Sequence, residues 1–240
     1  MTGTLLNIAT VLLGGTLGLV FGARIPERIK STVIAGMGLF TFAMGVQMFL
    51  ETDNPLIVLG ALLVGALLGE WWRIEDGLRN LGAALEKRFA RDDSAEGSAR
   101  FAPYGDFVRG FLTASLLFCV GPMTILGSIQ DGLTGDYSLL AVKSVLDGFA
   151  ALAFASTLGV GVLFSALVIL VYQGGISLLA GQLSSIVTDA MMAEMTATGG
   201  VILMGLAISS LLEIKPIRVG NFLPALAAAP VIVWIIGFFS

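Results

Sequence analysis

Apolar stretches of about 20 residues, separated by short polar turns, constrain the fold of this chain more than any other feature. A helix of about 20 apolar residues is long enough to cross the hydrocarbon core of a bilayer. Only 12% of the 240 residues are charged and 56% are hydrophobic, whereas about 25% of a typical soluble domain is charged. A soluble protein of this length could not bury so much apolar surface. The sequence therefore predicts an all-α, polytopic transmembrane helix bundle.

The apolar pattern predicts about eight spans within a single integral membrane domain, residues 1–240. The predicted spans are approximately 3–23, 31–50, 56–72, a broken fourth span from 106, then 137–156, a sixth ending near 181, 199–212 and 220–239. The fourth and eighth stretches are interrupted by proline, which breaks helix hydrogen bonding. Because a broken stretch can be re-entrant, counts of six or seven spans stay open.

The positions of Lys and Arg predict how the bundle is oriented. With the N-terminus outside, the inner segments 24–30, 73–109 and 213–218 hold three, seven and two of the 13 Lys and Arg residues. The predicted outer turns 51–54, 130–136 and 182–198 hold none. Cytoplasmic loops carry an excess of basic residues, so this distribution predicts eight spans with an external N-terminus.

Residues 71–105 form the longest polar segment of the sequence. Between 71 and 89, apolar residues recur at three- and four-residue steps, which predicts an amphipathic helix lying along the cytoplasmic membrane surface. These residues are Trp71, Ile74, Leu78, Leu81, Leu85 and Phe89. Residues 91–100 are rich in charged and small side chains, which is typical of a flexible linker.

Glycines at four-residue spacing predict closely packed faces on two spans. Gly14, Gly18 and Gly22 share a face of the first span, and Gly65 and Gly69 share a face of the third. Such faces let helices approach closely, either inside the bundle or against a second copy in a homo-oligomer. Spans one to three and six to eight also share a plan of glycine-rich spans and charged turns. This plan leaves an inverted repeat open, as found in secondary transporters.

Two charged residues in the predicted fifth span are the strongest candidates for a functional site. Lys143 and Asp147 are four residues apart and therefore share one helix face. A charge at mid-membrane costs at least ~2.5 kcal/mol, so such residues usually face a cavity or a partner. One interpretation is a site in which Lys143 is a counter-ion and Asp147 carries a proton or cation. The alternative is a structural pair, or a pair near enough to the interface for Lys143 to reach water.

A helix break in the fourth span lies close to this pair in sequence. Gly121-Pro122 interrupts the apolar run, and carbonyls freed by such a break can line a cavity and bind cations. Thr124, Ser128 and Gln130 follow and could add oxygen ligands. We therefore include all five residues in the hypothetical substrate or ion site, although a simple packing kink is the other interpretation.

Three further polar residues extend the hypothesis. Asn221 begins the proline-containing eighth span, which is either a second discontinuous helix facing the first break or a kinked packing helix. Asp131 and Asp136 flank a predicted outer turn. They could form a cation-attracting outer vestibule, or they could simply belong to a solvated turn.

Several function classes are disfavoured by the composition. Histidine is absent and Cys119 is the one cysteine, which removes imidazole ligands and an internal disulfide. The sequence has no Gly-rich phosphate loop ending in Lys-Ser/Thr and no basic patch with interleaved aromatic residues. We therefore expect no enzyme activity, no cofactor, no metal site and no nucleic-acid partner. The expected partners are the lipid bilayer and an unidentified small solute or cation.

The central motifs resemble a known bacterial family. They are Gly121-Pro-Met-Thr-Ile-Leu-Gly-Ser-Ile-Gln-Asp-Gly132, Lys143-Ser-Val-Leu-Asp-Gly148, Gly3-Thr-Leu-Leu-Asn7, the Ile25-Pro-Glu turn and Asn221-Phe-Leu-Pro-Ala225. With these motifs, essentially the whole chain resembles domain-of-unknown-function family 554. The resemblance implies a multi-pass bacterial inner-membrane protein, suggested to be a transporter. It implies no substrate and no functional residues.

These observations lead to three functional hypotheses. The first is an ATP-independent secondary transporter or permease for a small solute or ion, with Lys143 and Asp147 at its centre. The second is a non-transporting membrane scaffold that uses the surface helix 71–89 and the glycine faces. The third is a channel, which would require a continuous polar path through the bundle.

Overall fold

The computed structural model describes residues 1–22, 24–89, 106–183 and 187–239, and their regular structure is helical. The α-helices are α1 (Thr2–Gly22), α2 (Glu27–Phe49), α3 (Pro55–Trp72), α4 (Ile74–Phe89), α5 (Asp106–Val120), α6 (Pro122–Thr134), α7 (Ser138–Leu158), α8 (Ser165–Leu178), α9 (Ala180–Leu183), α10 (Asp189–Leu206) and α11 (Ala225–Phe239). Short 3₁₀ helices precede α8 (Val160–Phe164) and α11 (Val219–Phe222), and a π-helical turn (Ala207–Leu211) extends α10.

The helices confirm a polytopic bundle of about eight spans. Seven of those in the described ranges are long and apolar enough to cross a membrane. An eighth span consists of α5 and α6, which are bent by 63° at the break between them. The predicted linker 91–100 lies outside the described residues. We call the end of the bundle at which α1 begins the acidic face, after its turns at 50–54 and 135–137. The opposite end is the basic face.

The structure corrects the predicted beginning of the seventh span. Residues 182–198 were expected to form an outer loop, but α10 already begins at Asp189, where the Thr188 hydroxyl accepts a hydrogen bond from Met191 N at 3.3 Å. The segment 190–198 is mainly Met, Ala and Thr, and most of it is buried against neighbouring helices. Tertiary burial therefore extends the helix about ten residues before the predicted start at 199.

The glycine faces form close helix–helix contacts within the protomer. α1 lies parallel to α7, and a Cβ atom at Gly14, Gly18 or Gly22 would overlap a backbone carbonyl of α7. Gly65 and Gly69 of α3 approach the start of the eighth span equally closely. The predicted surfaces for a homo-oligomer are therefore covered by helices of the same chain. The antiparallel pairs α2–α10 and α3–α11 fit the shared plan of the two halves, and the inverted repeat stays a prediction.

Adding one methyl group at the α1–α7 contact should destabilise the bundle. Gly14→Ala forces α1 away from the backbone of α7, and overpacking of this kind typically costs about 1–3 kcal/mol. Gly36→Ala on α2 is the matched control, because a Cβ there meets no atom within 4 Å. Thermal unfolding of the purified variants in detergent measures the difference. Equal melting temperatures for the two variants would contradict the observed packing.

α5 is the enclosed helix of the bundle. Every residue from 107 to 120 is buried except Leu117, which is half-buried. One side of α5 packs with Leu78 and Leu85 of α4 through a cluster that includes Phe107 and Phe111. The amphipathic helix therefore covers the basic end of α5, although Leu81 stays exposed. Val120 at the end of α5 is buried, and Gly121 at the break is half-buried.

Candidate functional site

The Lys143–Asp147 pair lies near the middle of a membrane-spanning helix. Asp147 is the tenth of the 21 residues of α7, and at 1.5 Å per residue it lies about 14 Å from the beginning of the helix. Half of a bilayer hydrocarbon core is about 15 Å. The side chains of Lys143 and Asp147 are only 6% and 12% exposed, and Lys143 Nζ forms an ion pair with Asp147 Oδ2. The carboxylate is therefore at mid-membrane depth.

Three buried polar side chains from two other helices complete this group. Asn7 Nδ2 donates to Asp147 Oδ2 at 3.0 Å and to Gln173 Oε1 at 2.9 Å. Gln173 Nε2 in turn donates to Thr4 Oγ1 at 3.3 Å. We call Thr4, Asn7, Lys143, Asp147 and Gln173 the polar cluster. It joins α1, α7 and α8 and connects mid-membrane with the acidic end of α1.

Sequence reasoning did not assign Asn7 or Gln173 to the site, although a signal for Asn7 was present. Asn7 lies seven residues before Gly14, so the two share a helix face. That face packs directly on α7, where the charged pair lies. A polar residue on a glycine packing face therefore indicated a partner on the neighbouring helix.

A large cavity opens on the other side of the ion pair. Its volume is about 800 Å³, and it lies between α2 and α7 beside the α5–α6 break. Its polar lining consists of Thr41, Gln47, Glu51, Lys143 and Asp147, with Gly121 at the break. The remaining lining is mainly apolar, and Phe40 and Phe149 are about 70% exposed at its edge. The cavity therefore connects a mid-membrane charge with polar groups towards the acidic face.

The helix break contributes Gly121 to this cavity, but its hydroxyl residues act locally. Gly121 has extended backbone angles (φ −76°, ψ 148°), and α6 begins at Pro122. Thr124 Oγ1 donates to the freed carbonyl of Phe118 at 3.0 Å, and Ser128 Oγ donates to Thr124 O at 2.5 Å. Both hydroxyl groups are buried and lie outside the cavity lining. They therefore stabilise the break and are not brought to Lys143 and Asp147.

Gln130 and Asp136 lie at the acidic face. Gln130 Nε2 donates to Asp136 Oδ2 at 2.8 Å, and Asp136 Oδ1 accepts from Ser138 N at 3.0 Å. Hydrogen bonds from Ser138, with a smaller contribution from Gln130, hold the pKa of Asp136 below its usual value. Asp136 thus stays ionised at neutral pH and caps the beginning of α7, which favours a negative charge.

Asp131 corrects the prediction of an outer vestibule. It lies inside α6, which continues to Thr134, and its side chain is fully buried. Asp131 Oδ2 accepts from Gly3 N at 3.1 Å and lies 2.9 Å from the Met1 amino nitrogen. A buried carboxylate cannot form a solvent-exposed vestibule. Asp131 instead stabilises the positive end of the α1 dipole.

Asn221 lies at the basic face and does not face the first helix break. Its Oδ1 accepts from Glu75 N at 2.8 Å, and its Nδ2 donates to the Glu70 carboxylate. Glu75 Oε2 accepts from Gly220 N at 2.9 Å. The 3₁₀ turn before α11 is therefore attached to the junction of α3 and α4, and the hydrogen bonds of the Asn221 side chain are made there and not with the polar cluster.

Glu194 and Arg109 are buried charges that sequence reasoning missed. Glu194 accepts from Thr52 Oγ1 at 2.6 Å and from Asp53 N and Asn54 N, each at 3.0 Å. It therefore holds the α2–α3 turn. At the basic face, Arg109 Nε donates to Ser210 O at 2.8 Å in the π-helical turn, and the guanidinium also pairs with Glu213. The helical setting of Glu194, surrounded by apolar residues, was the available signal.

Two observations bear on metals. Within the described ranges, no group of three or more His, Cys, Asp or Glu side chains could hold a metal ion. Cys119 is a buried free thiol.

Comparison with known proteins places these residues in a family context. Residues 2–234 match the family described as "Protein of unknown function (DUF554)". The chain is 33% identical over 228 residues to "Uncharacterized protein YqgA" of Escherichia coli (strain K12), covering 95% of this chain and 94% of that protein. It is 30% identical over 244 residues to "Uncharacterized membrane protein YdfK" of Bacillus subtilis (strain 168), covering 100% and 99% of the two chains. No solved structure shows a significant match.

Proposed function

Since the chain belongs to the DUF554 family of proteins of unknown function, we propose from its site that it is an ATP-independent secondary transporter of a small solute or ion. The observation that carries this proposal is a mid-membrane ion pair, Lys143–Asp147, on the wall of a cavity of about 800 Å³. Placing charges at this depth is costly, and residues that bear the cost usually belong to substrate or ion pathways. The cavity gives the pair access to a solute, which a purely structural pair would not need.

The architecture around the cavity supports the same proposal. A discontinuous span places Gly121 beside the charged pair, and secondary transporters commonly build mid-membrane sites from broken helices. Gln47 and Glu51 extend the polar lining along α2 towards the acidic face. A solute entering from that face would meet polar groups before it reached Asp147.

The alternatives have less support. A scaffold that used the glycine faces would need surfaces that α7 and α11 already cover, which leaves α4 as its working surface. A channel would need a continuous polar path, whereas Phe154 and Leu203 are among the apolar residues that line the cavity. Neither alternative explains why the ion pair lies against a cavity.

We also propose that the protein lies in the bacterial inner membrane with the acidic face outside. The basic segments all approach the opposite face, which fits the preference of Lys and Arg for the cytoplasmic side. Asp136→Cys should then react with a membrane-impermeant maleimide added outside spheroplasts. Labelling only after cell disruption would reverse the orientation.

The proposed function is tested by flux through reconstituted protein. Purified protein in proteoliposomes on a solid-supported membrane is exposed to gradients of alkali cations, halides and small carboxylates. We expect at least one solute to give a saturable current. Asp147→Asn should abolish that current, because the amide keeps a hydrogen-bonding oxygen but loses the charge. Asp136→Asn is the matched control, since it removes a carboxylate outside the cavity.

Three results would overturn the proposal. They are the failure of every tested solute to move through the wild-type protein, a current that persists in Asp147→Asn, and an equal loss in Asp136→Asn. Size-exclusion chromatography in detergent verifies that each variant is folded before reconstitution. This check separates loss of transport from loss of protein.

A further inference from the structure

We propose that the buried side of the Asp147 carboxylate, together with Asn7, is a sodium site that couples transport to a Na⁺ gradient. This inference rests on the proposed function and adds the coupling ion to it. Its basis is the part of the polar cluster that does not line the cavity, namely Thr4, Asn7 and Gln173, which adjoins the Asp147 carboxylate. These four residues provide one carboxylate, two amides and one hydroxyl.

The first observation is a buried hydrogen-bond acceptor that no donor contacts. Asn7 Oδ1 is buried and has no hydrogen-bond partner among the described residues. The whole Asn7 side chain is fully buried, so bulk water does not satisfy this oxygen. A buried acceptor left unpaired carries an uncompensated desolvation cost, and the cost is larger where the surroundings are apolar. A cation bound at this oxygen would remove that cost.

The orientation of the Asn7 amide is fixed by its neighbours. Asn7 Nδ2 donates to two oxygens, Asp147 Oδ2 and Gln173 Oε1. Flipping the amide would place Oδ1 against both of these acceptors, which is repulsive. The unpaired atom is therefore the oxygen, and the missing group must be a donor or a cation.

The chemistry of the group favours a hard monovalent cation. Hard cations bind carboxylate, amide and hydroxyl oxygens, and the polar cluster offers these from Asp147, Asn7, Gln173 and Thr4. Asp147 is the one carboxylate in the cluster, so it can balance a single positive charge. A divalent ion would add an uncompensated charge beside the Lys143 ammonium.

The Asp147 carboxylate therefore has two competing cations. Lys143 Nζ and Asn7 Nδ2 both contact Asp147 Oδ2, but Lys143 lines the cavity, whereas Asn7 is fully buried and does not. Binding of Na⁺ weakens the attraction between Asp147 and Lys143. The ammonium, which already lines the cavity, then becomes available to an anionic solute. One Na⁺ and one monovalent anion would leave the net charge of the site unchanged.

The test measures sodium binding directly and does not require a transport substrate. Equilibrium dialysis of the purified protein in detergent with ²²Na⁺ should show one saturable site per chain, retained in excess choline and only weakly displaced by K⁺. Asn7→Leu should weaken binding at least about tenfold, the loss expected when an oxygen ligand of a charged group is removed. Thr16→Val is the matched control, because Thr16 lies on the exposed side of α1 and bonds to Leu12 O.

A second variant, Lys143→Met, should change the affinity for sodium in the opposite direction. It removes the competing cation, so ²²Na⁺ should bind more tightly, by about fivefold or more. A purely structural role for the cluster would not strengthen binding in one variant and weaken it in the other. Gln173→Leu replaces Asn7→Leu if the latter fails to fold, and it should weaken binding in the same direction.

The outcomes separate this inference from the proposed function. Solute flux without saturable ²²Na⁺ binding, including flux driven only by a pH gradient, overturns the sodium site and leaves the transporter intact. Saturable binding that follows both variants, without flux of any solute, supports the site and overturns the transporter. Unchanged binding in Asn7→Leu, or weaker binding in Lys143→Met, overturns the assignment of these residues.

Discussion

Lys143→Met should lower the free energy of unfolding by roughly 3–5 kcal/mol, the range found when one partner of a buried ion pair is removed. The remaining Asp147 loses its paired cation and, among the described residues, keeps the hydrogen bond from Asn7. Asp147→Asn should cost less. Lys143 lies about 8 Å from the beginning of α7, so its long side chain can extend towards the acidic face.

The double variant Lys143→Met/Asp147→Asn tests the same explanation. It removes both charges but keeps an oxygen that can accept from Asn7, so it should recover most of the stability lost by Lys143→Met. SDS titration of the purified proteins, followed by tryptophan fluorescence, provides the unfolding free energies. Arg218→Met is the matched control, because the Arg218–Glu70 pair is more than half exposed and such pairs are worth only about 0–1 kcal/mol.

Two results would contradict this account of the pair. If Lys143→Met cost no more than Arg218→Met, the two charges would not be buried together at mid-membrane. If the double variant were as unstable as Lys143→Met, the loss would come from packing of the lysine stem and not from the unpaired carboxylate. In either case, the cost of an unpaired Asp147 carboxylate would no longer explain the stability of this part of the protein.

The spans and the ion pair could be predicted because both depend on local sequence. A long apolar run determines a transmembrane helix, and four-residue spacing determines a shared face. The partners of Asp147 could not be predicted in the same way, because Asn7 and Gln173 lie 140 and 26 positions from it along the chain. Only the packing of α1 against α7, and of α8 against α1, brings them together.

Asp131 shows how a correct local pattern can mislead. Asp-Gly is a common turn pair, but α6 continues for 13 residues, from Pro122 to Thr134. It ends at Gly135, whose φ of 73° lies in the left-handed region that favours glycine. The turn therefore lies beyond Asp131. The helix places this carboxylate against the beginning of α1.

Glu194→Ala should be among the most destabilising substitutions outside the polar cluster. The buried carboxylate accepts hydrogen bonds from Thr52 Oγ1, Asp53 N and Asn54 N. Hydrogen bonds to a charged group are worth about 1.5–3 kcal/mol each, and their donors lose a partner when the carboxylate is removed. Because the freed turn can partly reach water at the acidic face, we expect a net loss of about 3–5 kcal/mol.

Two further variants distinguish the hydrogen bonds from general effects of the turn. Glu194→Gln keeps one acceptor oxygen and should lose about half as much stability. Glu51→Ala removes an exposed carboxylate from the same turn and should change the unfolding free energy by less than about 0.5 kcal/mol. The same SDS titration gives all three values. A loss in Glu51→Ala as large as that in Glu194→Ala would show that negative charge near the turn, and not the three directed hydrogen bonds, holds α2 and α3 against α10.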